Sequence, residues 1–207
     1  MRGALGAIPV IGTGTVELLN HIYGPPLERR KAAFMQMMAN AIRELQRRGI
    51  DIETLSANEA FVSACVDAGR IAAGEHLEEK LEMLKSALVH QALPHDLPDL
   101  VATRFLDFVD DLDARHVRLL RYAQDPSRWF RDLGIEQPSF YSAARRAALD
   151  AARIGIPGDV LDFVIEDLAA RKLASSDMLG GLVSQASVYG PWITERGALF
   201  VDWVTLV

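Results

Sequence analysis

Apolar residues recur at helical spacing through the first half of the chain. Pro25 and Pro26 stand where a helix is expected to begin, and Gly49 is expected to end it. Between these bounds one face is apolar, at Leu27, Phe34, Met38, Ala41, Ile42 and Leu45. This spacing predicts a long amphipathic helix.

A second helix is predicted after a capping signal. Ser56 and Glu59 have the spacing of a capping box, in which each side chain binds a backbone N–H of the first turn. The apolar positions that follow, with Cys65 among them, continue to Gly74. We therefore expect this helix to begin near Ser56 and to bury Cys65 as a small apolar residue.

Two more helices complete the first half. One is expected from His76 to about Leu93, with its leucines buried and its charged residues, including Lys80, facing water. Pro98 is expected to open the other. Residues 26–110 are thus predicted to form a four-helix region, preceded by a Gly-rich apolar segment at residues 1–25.

The second half has a different pattern of elements. The acidic sequence at residues 110–113 is interpreted as a domain boundary. Helices are expected at 114–123, 126–133, 139–152 and 159–171, and Thr194 is well placed to cap a last one. Two short extended segments, 173–178 and 191–194, are expected to pair. We therefore predict a mainly α protein, in which a helical bundle is followed by a winged-helix-like domain, residues 112–207, with a small two-stranded β-wing.

Six large apolar residues are expected to be buried in the cores of these helices. They are Leu84, Phe105, Leu120, Phe163, Phe200 and Trp203. Half of the 207 residues are apolar, which is enough for a sizeable core.

Charge limits the partners that the chain can attract. The formal net charge is −6, so any binding of nucleic acid or anionic lipid requires a local basic patch. The single cysteine excludes an internal disulfide, and we expect a cytoplasmic protein. The uncharged segment at residues 3–16 is too short and too rich in glycine to span a bilayer, and we interpret it as a segment packed against the helices.

The predicted recognition helix of the winged-helix domain carries acidic residues on its outer face. Asp159, Asp162 and Glu166 follow at i, i+3 and i+7. A helix that enters DNA must meet phosphate with positive charge, so these carboxylates favour a protein partner over nucleic acid.

A row of arginines supplies the alternative interpretation. Arg115, Arg118 and Arg121 recur at i, i+3 and i+6, and could contact the phosphates of a duplex. Residues 112–207 contain 11 Lys and Arg against 12 Asp and Glu, a net of −1, whereas a DNA-binding module is clearly basic. We therefore prefer a solvated helix face whose arginines pair with nearby aspartates.

A basic cluster lies in the first predicted helix, at Arg29, Arg30 and Lys31. Beside an apolar segment it could contact lipid headgroups or a partner, although an ordinary solvated first turn explains it as well. His90 and His95 flank Pro94 and cannot share a helix face as metal ligands. No metal or cofactor site is predicted, and no catalytic motif is found.

Several segments carry a resemblance to a known group. They are PPLERRKAAF, NEAFVSACVDAGRIA, EEKLEMLKSAL, ARHVRLLRYAQDP and ITERGALFVDWV, and together they span most of the chain. In these segments the chain resembles uncharacterised bacterial helical proteins that are distantly similar to the abortive-infection Abi-alpha family. The resemblance implies a helical bacterial protein with a role in phage defence, and it implies no active-site residues.

Three hypotheses about function follow. The first is a non-enzymatic interaction or regulatory protein whose winged-helix module binds protein through the acidic helix face. The second is a DNA-binding transcriptional regulator that uses the arginine helix. The third is a membrane-active defence protein that uses residues 3–16.

Overall fold

The computed structural model of the protein describes residues 13–74, 77–95, 97–139, 142–143, 145–175 and 183–206. These residues form mainly helices, which confirms the mainly α prediction. In chain order the elements are α1 Thr13–Arg47, α2 Ile52–Ala57, α3 Glu59–Gly74, α4 Glu78–Ala92, α5 Asp99–Asp111, α6 Ala114–Gln124, α7 Pro126–Asp132, β1 Ser142–Ala143, α8 Arg145–Ala151, α9 Gly158–Ala170, β2 Val183–Ser184, α10 Gln185–Val188 and α11 Glu195–Trp203.

Among the residues that the structure describes, extended structure is limited to short contacts. Strands β1 and β2 pair antiparallel over two residues each. The two segments predicted as wing strands share one isolated bridge, between Ala174 and Ile193. Residues 176–182 lie outside the described residues, and the rest of these segments forms no two-stranded wing. Two backbone hydrogen bonds join these segments. The N–H of Ser175 donates to the carbonyl of Trp192 at 2.9 Å, and the N–H of Thr194 donates to the carbonyl of Leu173 at 3.0 Å.

Helix α1 begins at Thr13 and passes through Pro25 and Pro26, so the predicted start at these prolines is wrong. Proline keeps a helical φ, but it removes the hydrogen bond to the carbonyl four residues earlier and its ring crowds that carbonyl, at a cost of about 3 kcal/mol that packing elsewhere can offset. A long helix that is packed further along can therefore contain it. Within residues 24–47 of this helix, Met37, Ala41 and Leu45 are buried.

The predicted cap of α3 is wrong by two residues. A short helix, α2, occupies residues 52–57, and the Oδ1 atom of Asn58 accepts the N–H of Phe61 at 3.0 Å. The hydroxyl of Ser56 donates instead to the carbonyl of Glu53 inside α2, at 2.8 Å. Serine and asparagine can both accept the free N–H groups at the start of a helix. Because Ser56 lies inside α2, Asn58 is the residue that caps α3.

Helix α4 lies at the centre of the molecule, in contact with α1, α3, α5 and α11. Its side chains at Met83, Leu84, Ala87, Leu88 and Val89 are buried. Lys80, which was predicted to face water, is also buried: its Nζ atom donates to the carbonyls of Asp110 at 2.7 Å and Leu112 at 2.6 Å. These carbonyls end α5, and the ammonium group satisfies them.

The last helix packs against the first half of the chain. The Phe200 ring lies 5.5 Å from Phe105 and 5.8 Å from Phe108, both on α5, and the Trp203 ring lies 6.1 Å from Phe105. Buried residues from Met37 to Val204 form one hydrophobic cluster. Side chains from both sides of the predicted boundary at residues 110–113 therefore share one core.

Five of the six predicted core residues are buried, namely Leu84, Phe105, Leu120, Phe200 and Trp203. The prediction for Phe163 is wrong, because 71% of this residue is exposed. Helix α8 is shorter than expected, since residues 142–143 belong to strand β1. Helix α5 opens at Pro98, α7 begins at Pro126 and Thr194 caps α11, as the sequence predicts.

Candidate interaction surface

Helices α8 and α9, with the turn between them, form the platform of the candidate site. The turn contains Gly155 with φ of +76°, a conformation that favours glycine. Ala152 and Ile154 are buried in it. On α9 the buried positions are Leu161, Val164, Ile165 and Leu168, at i, i+3, i+4 and i+7. This spacing fixes one face of α9 against the core and leaves the opposite face in solvent.

The outer face of α9 combines an exposed aromatic ring with carboxylates. Phe163 projects from it, and Asp159, Asp162 and Glu166 are all exposed around it. These four residues are called the α9 face below. On a helix, residues three and four apart are neighbours, so Asp159 and Glu166 lie on either side of Phe163 along the axis. The predicted acidic positions thus surround an apolar residue that the sequence analysis assigned to the core.

An arginine from α8 limits how much of the negative charge is available. Arg146 pairs with Asp162, lies 3.7 Å from Asp150, and donates to the carbonyl of Gly158 at 3.3 Å. Arg146 thereby anchors the start of α9 and neutralises the middle carboxylate. Among the described residues, Asp159 and Glu166 form no ion pair. These two carboxylates are the ones that a partner can use.

The end of α9 is anchored by a second arginine. Arg171 lies 3.0 Å from Asp111 and 3.1 Å from Asp167. The Nε2 atom of His116 is 3.4 Å from the same Asp167 carboxylate. Helix α9 is therefore held at both ends, by Arg146 of α8 at its start and by Asp111 of α5 and His116 of α6 at its end.

The acidic turn at residues 110–113 is bound by cations from several helices. Arg70 on α3 lies 2.8 Å from Asp110, Lys80 binds the carbonyls at the end of α5, and Arg171 holds Asp111. A sequence that was interpreted as a boundary is thus a point where α3, α4, α5 and the end of α9 are joined. Sequence alone gives no sign of this, because each partner is distant along the chain.

Asp113 closes the acidic turn and caps α6. Its carboxylate accepts the backbone N–H of Arg115 at 2.9 Å and pairs with the Arg115 guanidinium, and its own N–H donates to Nδ1 of His116 at 3.1 Å. Burial raises the pKa of Asp113, but the hydrogen bonds that Arg115 donates from its side chain and backbone outweigh this and lower it to about 2. The carboxylate is therefore ionised at neutral pH.

The predicted arginine row is occupied by contacts within the chain. Arg115 pairs with Asp113, Arg118 donates to the carbonyl of Ile154 at 3.3 Å, and Arg121 donates to the hydroxyl of Thr205 at 2.8 Å. Arg115 stays within the cap of α6, whereas Arg118 joins α6 to the turn before α9 and Arg121 joins it to the segment after α11. The row is thus divided among structural contacts and does not form a continuous basic surface.

The basic cluster on α1 is partly occupied as well. Arg30 donates to the carbonyl of Ala73 at 3.0 Å, in the last turn of α3, and Arg29 donates to the carbonyl of Pro25 at 3.4 Å. Lys31 is exposed. Residues 3–12 lie outside the described residues, so the lipid hypothesis built on them stays a prediction.

In the described part of the chain, His90 and His95 contact Trp203, and Cys65 packs partly buried against the core. Nδ1 of His90 donates to the carbonyl of Trp203 at 2.9 Å, and the rings of His90 and His95 lie 5.6 and 5.0 Å from the Trp203 ring. Burial raises the pKa of the Cys65 thiol to about 11, which keeps it protonated. Within the described ranges no group of three or more His, Cys, Asp or Glu residues is placed to hold a metal ion.

One surface cleft of about 380 Å³ lies between the end of α1 and the end of the chain, and it is lined by Asn40, Glu44, Arg47, Arg48, Lys85 and Leu206. Its carboxylate is taken up by neighbouring guanidinium groups, since Glu44 lies 2.5 Å from Arg47 and 2.8 Å from Arg48. The cleft therefore presents mostly paired surface charges.

The chain matches no protein-family model, no curated protein and no solved structure. In the described part of the chain, no helix has the length and hydropathy needed to cross a membrane.

Proposed function

We propose that this is a non-enzymatic interaction protein that binds a protein partner through the α9 face. The observation that carries the proposal is Phe163, which is 71% exposed on a helix whose other apolar residues are mostly buried. An exposed aromatic residue is unfavourable in water, and burying one contributes about 1.5–3 kcal/mol. Aromatic residues dominate the binding energy of many protein interfaces.

The carboxylates beside Phe163 define the chemistry of the partner. Asp159 and Glu166 flank the ring, so a matching surface has an apolar pocket with Lys or Arg at its rim. Charges at a rim mainly increase the rate of association and make it sensitive to salt. Phosphate groups of nucleic acid would be repelled by the same carboxylates.

We propose further that α6, α8 and α9 belong to a winged-helix-like module, as the order of elements suggested. Two features support this: α9 follows α8 after a short turn, and a bridge joins Ala174, just after α9, to Ile193, just before α11. In such a module α9 is the helix that DNA-binding members place in the major groove. Here that position is used for protein contact.

An association with phage defence is also proposed, and the resemblance to abortive-infection proteins is its support. A defence protein that binds another protein through the α9 face needs no catalytic centre of its own. Identification of the bound partner tests this proposal, because a role in phage defence requires that the partner also acts in phage defence.

The α9 face can be tested by capture of partners from a lysate of the source organism. We expect a protein that is recovered by the wild type and lost with Phe163→Ala, because the substitution removes the apolar contact. Leu100→Ala is the matched control, since Leu100 is 72% exposed but lies on α5 and not on α9. The combined variant Asp159→Asn and Glu166→Gln should weaken capture and remove its dependence on salt.

Asp162 is left unchanged in this experiment because its pairing with Arg146 anchors α9. Thermal unfolding of each variant shows that the fold is retained. Identical captured proteins for the wild type and Phe163→Ala would refute the proposal.

DNA binding is the second candidate, and the succession of α8 and α9 across a short connecting segment is the observation that favours it. A mobility-shift assay at low salt decides between the two. Tight duplex binding that is lost when Arg115, Arg118 and Arg121 are replaced, in variants that still melt like the wild type, would overturn the protein-binding proposal. We expect no such binding, because these arginines are engaged within the chain.

A further inference from the structure

Helices α1 and α3 meet along a line on the surface that carries no charge over its central part. The two helices run antiparallel, as two contacts show. The Arg30 guanidinium reaches the carbonyl of Ala73, and a Cβ atom at Gly69 would lie 3.4 Å from the Phe34 ring. Continuing this register places Met38 beside Cys65.

Apolar side chains are exposed along the outer side of this line. Met35 on α1 is 59% exposed, and Val62 and Val66 on α3 are 41% and 69% exposed. Met38 and Cys65 lie partly buried between them. On the helical repeat, Val62 and Val66 stand one turn apart, on the flank of α3 that faces α1. These five residues are called the neutral seam.

The sequence segments that contribute the neutral seam contain no charged residues. Residues 32–42 of α1 and residues 60–66 of α3 contain no Asp, Glu, Lys or Arg, although 24% of the chain is charged. The seam ends in opposite charges. Lys31 is exposed at one end, and Glu59 is exposed at the other.

We propose that the neutral seam is the interface between two copies of this chain. A chain with a net charge of −6 repels its own copies over most of its surface, so an uncharged apolar face is where they can approach. A two-fold axis that lies in the interface and runs across the helices reverses the direction of the seam. Lys31 of one copy then lies at the same end of the contact as Glu59 of the other, and the apolar residues cover one another.

Other occupants are less well matched to this face. An acidic or basic partner would find no charge of opposite sign along the seam, and only its two ends are charged. In an isologous contact, each end of the interface contains one Lys31 and one Glu59, from different copies. No charge is buried between the two ends. The interface is independent of the α9 face, because Phe163 lies on a helix of the second half.

The oligomeric state of the full chain tests the proposal. Sedimentation equilibrium over a range of concentrations should give a dimer for the wild type. Val66→Glu and Met35→Glu should each raise the dimer dissociation constant about 10-fold or more, because an unpaired carboxylate is buried in the contact. Leu100→Glu, at a residue that is equally exposed on α5, and Phe163→Ala should remain dimeric.

A charge exchange tests the orientation of the two copies. Lys31→Glu and Glu59→Lys should each weaken the dimer, because each places like charges together across the axis. The double variant should restore the affinity, since it exchanges the two ends of every pair. A monomeric wild type, a dimer that is insensitive to Val66→Glu, or a double variant as weak as the sum of its single changes would each overturn the proposal.

Discussion

Asp113 shows how one residue can join local capping to long-range electrostatics. Its carboxylate caps α6 and binds Arg115, and its pKa lies at about 2 in the folded chain. In an unfolded chain an aspartate titrates near 3.9, so the folded pKa is the lower one. Asp113 therefore contributes stability above pH of about 4, and this contribution is lost as the pH falls toward 2.

Replacing Asp113 by Asn should reveal this dependence. Asn keeps the cap but loses the charge, so we expect the free energy of unfolding to fall by about 1 kcal/mol at pH 7. The difference from the wild type should shrink as the pH is lowered from 4 to 2, as measured by urea unfolding. Asp132→Asn, in an exposed pair with Arg128, is the control and should have a smaller effect. A difference that is constant with pH would contradict the assignment.

Two residues mark the limit of sequence prediction at this scale. Phe163 was assigned to the core because it is aromatic and lies in an apolar helix, yet α9 has more apolar residues than one face can bury. The strict spacing of Leu161, Val164, Ile165 and Leu168 was the signal that could have excluded it. Lys80 gave no such signal, since the carbonyls that bury it lie 30 and 32 residues away.

Among the elements, α11 depends on an unusually close approach. The backbone of Gly197 packs against the carbonyl of Leu173, in the segment that follows α9. The hydroxyl of Thr194 fixes this arrangement, because it accepts the N–H of Gly197 at 3.0 Å and donates to the carbonyl of Lys172 at 2.7 Å. The close contact leaves no room for a side chain at residue 197.

Gly197→Ala should therefore destabilise the protein. The added methyl group would meet the Leu173 backbone, which cannot rotate away as a side chain would, and we expect a loss of about 1–3 kcal/mol. Gly74→Ala is the matched control, because no atom beyond its chain neighbours and its own helix backbone lies within 4 Å of that position, at the last residue of α3. This control should raise the stability by up to about 0.5–1 kcal/mol, because alanine favours a helix more than glycine does. Thermal unfolding measures both, and shifts of the same sign would contradict the packing described.

Helix boundaries were predictable where the deciding residues are local. Pro98 opens α5, Asp125 caps α7 and Thr194 caps α11, each through its own backbone or side chain. The start of α1 was not predictable in the same way, because tertiary packing allows a helix to continue through Pro25 and Pro26. Propensity rules describe isolated segments, and packing can override them.

At the scale of the whole molecule, the aromatic residues of α11 bind the two halves of the chain together. Phe200 touches Phe105 and Phe108, which lie more than 90 residues earlier. Helical spacing within one segment does not indicate which distant helix that segment contacts. The individual helices could therefore be predicted from the sequence, but their arrangement could not. The proposed division into residues 26–110 and 112–207 stays a prediction, and cooperativity of unfolding tests it.

We expect the chain to unfold in one transition. Circular dichroism reports all helices, whereas the three tryptophans, at 129, 192 and 203, all lie after residue 110. The two signals should change together during urea unfolding. Phe200→Ala should lower the free energy of unfolding by about 3–5 kcal/mol and shift both signals equally, whereas Leu100→Ala should shift them little. Separate transitions would instead support two domains.

The two anchors of α9 have a kinetic consequence. Arg146 holds its first turn, and Arg171 holds its end against Asp111. A helix fixed in this way loses little conformational entropy when it is engaged, and its shape need not adjust. Association should then proceed in a single bimolecular phase, with a rate that rises linearly with partner concentration and shows no plateau from a slow rearrangement of this chain.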